Sequence, residues 1–291
     1  MSNGSAVLGL GNLGASASLP VMEGKAVLFK EFADVDAFPI CLDESDPDKL
    51  VENIKKLAPI FGSINLEDIK VVVNGAGAAG ASIVKLLNFE EVGEIIALDI
   101  HGAIYRGSAH LDESTREIAE ITNPQNKKGD LADIIKDADV FIGVSAANLL
   151  YKKMVRSMAA DPIIFAMANP EPEIWPEDAL KAGARIVGTG RSDYPNQVNN
   201  VLAFPGIFRG ALDVRAKEIN KEMKQAAAYA LADLIAEDEL EPDYVIPKPF
   251  DPRVGPHVAA AVAQAAIDTG AARIEISYED ELENARKIME K

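Results

Sequence analysis

Val71-Val72-Val73-Asn74 runs directly into Gly75-Ala76-Gly77-Ala78-Ala79-Gly80, and an apolar helical pattern from Ala79 to Leu87 follows at once. This order constrains the fold more than any other feature of the chain. Three consecutive β-branched residues predict a buried strand. Glycines in the spacing G-x-G-x-x-G let the chain turn tightly, bring bare backbone up to a ligand and pack the helix against the strand. The start of such a helix offers unpaired N–H groups and the positive end of its dipole, which suits a pyrophosphate. A second strand, Glu94 to Leu98, leads to Asp99, nineteen residues beyond Gly80. A carboxylate there accepts both ribose hydroxyls of NAD and repels the 2′-phosphate of NADP. Gly75, Ala76, Gly77, Ala78, Ala79, Gly80 and Asp99 are therefore the expected cofactor residues, and NAD rather than NADP the expected cofactor.

A second match to the same spacing, Gly9, Gly11 and Gly14, lacks this context. Its strand, Ala6-Val7-Leu8, is very short, Pro20 falls where the helix should be running, and no second strand ends in an acid at the right distance.

Beyond Lys70 apolar runs at Val140–Val144, Ile163–Ala166 and Arg185–Val187 read as strands. Helical patterns separate them around Arg116–Ile121, Leu131–Lys136, Lys152–Met158 and Glu177–Lys181. Continuous apolar strands alternating with helices imply a parallel sheet covered on both faces, an α/β, Rossmann-like, doubly wound fold. Residues 1–70 form a smaller N-terminal segment, with a helix from about Lys25 to Ala33, a strand at Phe38-Pro39-Ile40-Cys41 and an amphipathic stretch from Asp48 to Leu57. From 206 the chain turns helical, over Ala211 to Ile235, Val258 to Asp268 and from Tyr278 onward. The expected division is thus 1–70, 71–205 and 206–291.

The 291 residues carry a formal net charge of −17, which disfavours nucleic acid and anionic lipid as partners. The single cysteine, Cys41, excludes an internal disulfide framework, fits a reducing compartment and is expected buried and inert. With no secretory signal and no apolar run of spanning length, the cytoplasm is the expected location.

Several polar residues are candidates. Glu67 and Asp68 are adjacent carboxylates that read either as ion ligands at an irregular position or as a solvated acidic turn. Lys25 follows Gly24 and by itself reads as an exposed lysine. Asn169 follows the Ile163–Ala168 stretch, at the carboxyl end of a strand, where open parallel sheets bind ligands, although a turn-forming role also fits. The run from Gly190 to Asn200 is dense in amides and suits either a small polar ligand or an irregular surface loop. His101, His110 and His257 show no ligand spacing.

Taken together, Val7 to Gly14, Leu19-Pro20-Val21-Met22-Glu23-Gly24-Lys25, Ile64 to Ile69, Val72 to Gly80, Ala168-Asn169-Pro170 and Thr189 to Gly206 resemble the malic enzyme family in its compact prokaryotic form. The resemblance covers nearly the whole chain. It implies oxidation of L-malate with NAD or NADP and Mg2+ or Mn2+, decarboxylation to pyruvate, and a homodimer. By resemblance Lys25 matches the general base, Glu67 and Asp68 two metal carboxylates, and Asn169 and Asn200, with Asn199 beside it, the substrate amides. Residues 1–70 would then be a partial substrate- and metal-binding domain. A divalent ion chelated by malate lowers the hydroxyl pKa and stabilises the enolate, and a lysine beside it is depressed toward neutrality.

Two features depart from the family. No match to its Tyr-Thr-Pro-Gly motif, whose tyrosine is the general acid, is found. Asp68 is followed almost at once by Val71, where the family has several tens of residues with a third metal carboxylate in an Asp-Asp-Gln-x-Gly motif. Slow malate turnover by a chain that still binds NAD is the expectation. A non-catalytic NAD-binding homologue and a Rossmann dehydrogenase of another small acid are the competing readings.

The acid at position 99 yields a direct expectation. NAD binds more tightly than NADP in parallel titrations, and Asp99→Ser narrows the gap; tighter binding of the phosphorylated dinucleotide contradicts the assignment.

Overall fold

The computed structural model describes residues 15–33, 38–43, 69–90 and 92–289. The chain divides into two units, Met1–Val144 with Lys153–Pro162, and Ser145–Lys152 with Ile163–Lys291.

The first unit opens with α1 (Ala15–Ala33), which begins ten residues before the expected start and contains Pro20. A proline this near the beginning removes one ladder donor, and the helix continues past it. Buried Ser18 donates its hydroxyl to the Ala15 carbonyl, and its oxygen lies 3.4 Å from Cys41 Sγ. Phe38 to Cys41 is not the expected strand: only Cys41 forms a bridge, and Pro39 cannot donate to a ladder. Cys41 is half-buried rather than buried. The expected Ala6–Leu8 strand, the Gly9–Gly14 loop, the Asp48–Leu57 stretch and the Glu67–Asp68 pair lie outside the described residues.

Next come β1 (Lys70–Asn74), α2 (Ala78–Phe89), β2 (Glu94–Asp99), β3 (Gly102–Ala103), α3 (Glu113–Ile121), α4 (Leu131–Ile134), β4 (Val140–Gly143) and α5 (Lys152–Val155). The strand order here is β3-β2-β1-β4. β1 pairs in parallel with both neighbours, Val72 standing opposite Ile96 on one side and Phe141 on the other. All three side chains are fully buried. Each contributes roughly 1.5–3 kcal/mol by leaving water, whereas an exposed ion pair such as Lys85–Glu117 contributes about 0–1 kcal/mol. The apolar strands therefore dictate this sheet. Because the chain winds from β1 to β2 and returns to β4 on the far side, the order reverses between β1 and β4, the place where doubly wound sheets take ligands. The short antiparallel β3 was not anticipated; Gly102, with φ of 102°, makes its turn, and Gly129 O would lie 2.5 Å from a Cβ there. α3 starts three residues before the expected pattern because Asp112 and Thr115 cap each other's backbone N–H.

In the second unit β5 (Ile163–Ala166) and β6 (Ile186–Thr189) form a parallel pair with α6 (Pro176–Ala182) between them in sequence. Four longer helices follow: α7 (Phe204–Asp213), α8 (Lys221–Ala232), α9 (Val254–Asp268) and α10 (Tyr278–Met289). The single helix expected over Ala211–Ile235 is two. Arg215 adopts a left-handed φ of 49° after α7, and Asn220 caps α8 by accepting from Met223 N at 3.0 Å. α9 forms the core, with Val258, Ala259, Val262, Ala263 and Ala266 buried. It lies so close to α7 that a Cβ on Gly210 would stand 2.2 Å from the Ala259 carbonyl oxygen.

Glu281 on α10 is fully buried, and neither carboxylate oxygen has a hydrogen-bond partner among the described residues. Burial raises its pKa, with Arg209 opposing. A carboxyl raised in the folded state binds its proton more readily there than in the unfolded chain. Stability is therefore fully present below the ordinary carboxylate range and lost as pH rises through the folded value. Glu281→Gln is expected to raise Tm by a few degrees at pH 7, and the gain should vanish below about pH 4, where wild-type Glu281 is neutral in both states. Thermal melts across that range check it; an equal shift at both ends contradicts the charge argument.

Candidate functional site

In the first unit the turn between β1 and α2 carries the cofactor candidates. Gly75 has φ of 112° and donates its N–H to the Leu98 carbonyl at 2.9 Å, which ties the loop to the strand that ends in Asp99. A Cβ on Gly80 would stand 1.7 Å from the Gly75 carbonyl oxygen and 3.3 Å from Val144 Cγ2, so only glycine fits between loop, helix and β4. Gly77 is extended, and among the described residues no side chain caps α2 and nothing lies within 4 Å of a Cβ built there. Ala78 and Ala79 are exposed at the helix start and Ala76 is buried beneath them. These are the properties a pyrophosphate needs: uncapped N–H groups, a dipole end and open approach. Asp99 is half-buried and accepts the His101 N–H on one oxygen at 2.7 Å. No described residue hydrogen-bonds the other oxygen, which suits a ribose hydroxyl. The residues present fit NAD. His101 and His110 stack at 4.3 Å, and among the described residues neither joins a cluster of metal ligands.

In the second unit the polar candidates gather beyond the carboxyl ends of β5 and β6. Asn169 is exposed, joined to Pro170 by a cis peptide bond, and no described residue hydrogen-bonds its side chain. The Gly190–Asn200 run is fastened to β6 through Val198 N–H on the Thr189 carbonyl at 2.8 Å. Arg191 links the two places. Its Nη1 reaches the Pro170 carbonyl, its other nitrogens hold Asp193 in a two-pronged pair, and it lies over the rings of Trp175 and Tyr194. That pair lowers the Asp193 pKa and raises that of Arg191. The Tyr194 hydroxyl donates to Glu177, which holds the phenol above its usual range. Asp193 and Tyr194 are thus already engaged.

The amides divide by role. Asn196 is buried and structural, donating to the Val187 and Pro242 carbonyls and accepting from Val245 N. Asn199 accepts from Val201 N at 3.1 Å, capping a 3-10 turn at Asn200–Leu202. Asn200 is exposed, and no described residue hydrogen-bonds its side chain. Asn169 and Asn200 therefore keep uncommitted amides. Lys25 lies within α1, but its side chain is outside the description, as are Glu67 and Asp68 altogether. Among the described residues no three His, Cys, Asp or Glu gather as a metal site.

Sequence reasoning passed over Glu173. It is fully buried and accepts hydrogen bonds from the Ser145 N–H and hydroxyl and from the Ala168 N–H. Its signal was modest: an acid set between Pro172 and the apolar Ile174-Trp175, just past Asn169.

A family model for the malic enzyme NAD-binding domain matches residues 56–267, and one for the malic enzyme N-terminal domain matches 1–73. The bifunctional malic/malolactic enzyme of Bacillus subtilis is 54% identical, covering 99% of this chain and 83% of its own length. The NAD-dependent malic enzyme of Geobacillus stearothermophilus is 49% identical over 94% of this chain and 67% of its length. Other relatives are named NADP-dependent, and this chain spans less than half of them. A crystal structure of malic enzyme from Pyrococcus horikoshii superposes with a TM-score of 0.72 at 37% identity, covering 99% of this chain and 80% of that one. The Bacillus match extends over 339 residues against the 291 of this chain, so the relative carries residues within the matched span that this chain lacks. With the NAD-binding model spanning most of its length and a relative at 54% identity, the chain belongs to the malic enzyme family.

Proposed function

We propose that the chain oxidises L-malate with NAD and a divalent metal and releases pyruvate and CO2. The observation that carries this reading is the uncapped, glycine-lined start of α2 beside Asp99, in a chain of this family. NAD, when bound, supplies the hydride acceptor. Gly75 to Gly80 hold its pyrophosphate through backbone N–H groups, and Asp99 holds the ribose, favouring NAD over the NADP that some relatives are named for. Lys25 takes the malate hydroxyl proton as general base. Asn169 and Asn200 donate amide N–H groups to substrate oxygens, with Asn199 fixing the turn that presents Asn200. Glu67 and Asp68 offer the hard oxygen donors that Mg2+ or Mn2+ prefers, and the ion would acidify the hydroxyl and stabilise enolate charge.

The division of labour we infer follows the sequence: 1–70 for substrate and metal, 71–205 for the dinucleotide, 206–291 as helical support. A cytoplasmic homodimer completes the reading. No helix among the described residues is long and apolar enough to cross a membrane, and the net charge of −17 argues against nucleic acid.

NADH appearance with L-malate and Mn2+ tests the reaction. Turnover is expected at least tenfold below that of a longer homologue, because residues present in the matched relative are absent here and positioning of reacting groups governs rate. A rate within tenfold contradicts the expected impairment. NAD binding with no malate response favours a non-catalytic binding protein, and turnover of a different hydroxy acid favours another dehydrogenase.

Lys25→Ala should lower malate turnover on the order of 10²- to 10⁴-fold while leaving the NADH dissociation constant unchanged. Retained activity removes Lys25 from the mechanism.

A further inference from the structure

The segment after β5 is laced to the segment after β4 by several hydrogen bonds, and Glu173 takes part in most of them. The Asn148 N–H donates to the Pro172 carbonyl and the Leu150 N–H to the Glu173 carbonyl, each at 3.0 Å. Asn148 Nδ2 donates to Glu171 at 3.1 Å. Beneath these, one oxygen of Glu173 accepts the Ser145 N–H at 3.0 Å and the Ser145 hydroxyl at 3.3 Å, while the other accepts the Ala168 N–H at 3.0 Å. The side chain is wholly withdrawn from water. A buried carboxylate deprived of its donors is expensive, so the two backbone segments are held to it firmly.

Ala168 immediately precedes Asn169, whose own side chain is uncommitted and exposed. Ser145 stands just beyond β4. We infer that Glu173 is a positioning residue: by gripping Ser145 and Ala168 at once, it fixes the backbone from which Asn169 presents its amide to the substrate. The inference rests on the reading of Asn169 as a substrate amide given above. Glu173 touches no reactant. It acts through Asn169, and a displacement of about 1 Å at a reacting group is enough to lower a rate roughly a hundredfold.

Glu173→Gln keeps the shape but carries one NH2 group, which must face an N–H donor on one side or the other. The experiment is a double-variant cycle with wild type, Glu173→Gln, Asn169→Ala and the pair. It reads kcat and KM for malate with NAD and Mn2+, malate binding by calorimetry with NADH and Mn2+ present, and amide exchange over 145–150 and 166–170.

Glu173→Gln is expected to lower kcat/KM, or the malate association constant, at least tenfold and to speed exchange in both segments. The NADH dissociation constant should stay within threefold. Added to Asn169→Ala, the same change should cost less than a further threefold, because the group it positions is already gone. Full additivity, or faster exchange with an unchanged malate response, overturns the inference while leaving the proposed function standing. If Glu173→Gln fails to fold, Ser145→Ala, which deletes the hydroxyl donor to Glu173, takes its place in the cycle with an expected loss of about threefold, judged by the same coupling. A wild-type chain that neither binds nor oxidises malate overturns the proposed function and this inference with it.

Discussion

The rest of the first unit depends on the contact of Gly80 with the Gly75 carbonyl. Because no Cβ intervenes, α2 begins directly against the turn that leaves β1, and no described side chain caps its first N–H groups. A methyl group in that gap would lever helix and strand apart and tilt the dipole away from the switch point between β1 and β4. The same turn is tied through Gly75 N–H to Leu98, so the position of Asp99 relative to the helix start is set by backbone alone.

That arrangement answers an electrostatic difficulty. The chain holds 46 acidic residues against 29 lysines and arginines, yet its cofactor is an anion. No basic side chain stands between Gly75 and Gly80; the first on α2 is Lys85, which is paired with Glu117. Positive potential at the loop comes from oriented peptide groups, which cannot be titrated and are screened only by water that a ligand displaces. In the second unit Arg191 is neutralised by Asp193 and serves as a brace between Pro170 and the amide-rich run.

The dinucleotide unit was legible because its signals are local. Val71–Val73, the three glycines and Asp99 each state their conformation within a few residues, and the alternation of apolar strands with helices follows from burial on both faces. What escaped the sequence depends on distant partners. Glu173 looks like any acid beside a proline until Ser145 and Ala168 are brought to it. Asn196, one amide in a run of several, is set apart only by its bonds to Val187, Pro242 and Val245. The break between α7 and α8 was within reach, since Asn220 is a strong capping residue, but the apolar periodicity on either side hid it. α1 differs the other way: it extends back through Pro20 to Ala15, since a proline near a helix start removes one ladder donor without ending the helix. The family resemblance, resting on several motifs in order, named roles that no single motif carried.

Trp175 is the only tryptophan of the chain, and it sits with the Arg191 guanidinium 5.1 Å from its ring and Tyr194 at 6.4 Å. Its neighbours in sequence are Ile174, next to Glu173, and Pro176, the first residue of α6. The protein therefore carries a built-in optical probe at a single address. Indole emission responds to the charge and polarity around the ring, so a ligand that displaces Arg191 is expected to change the emission, without a label and without turnover.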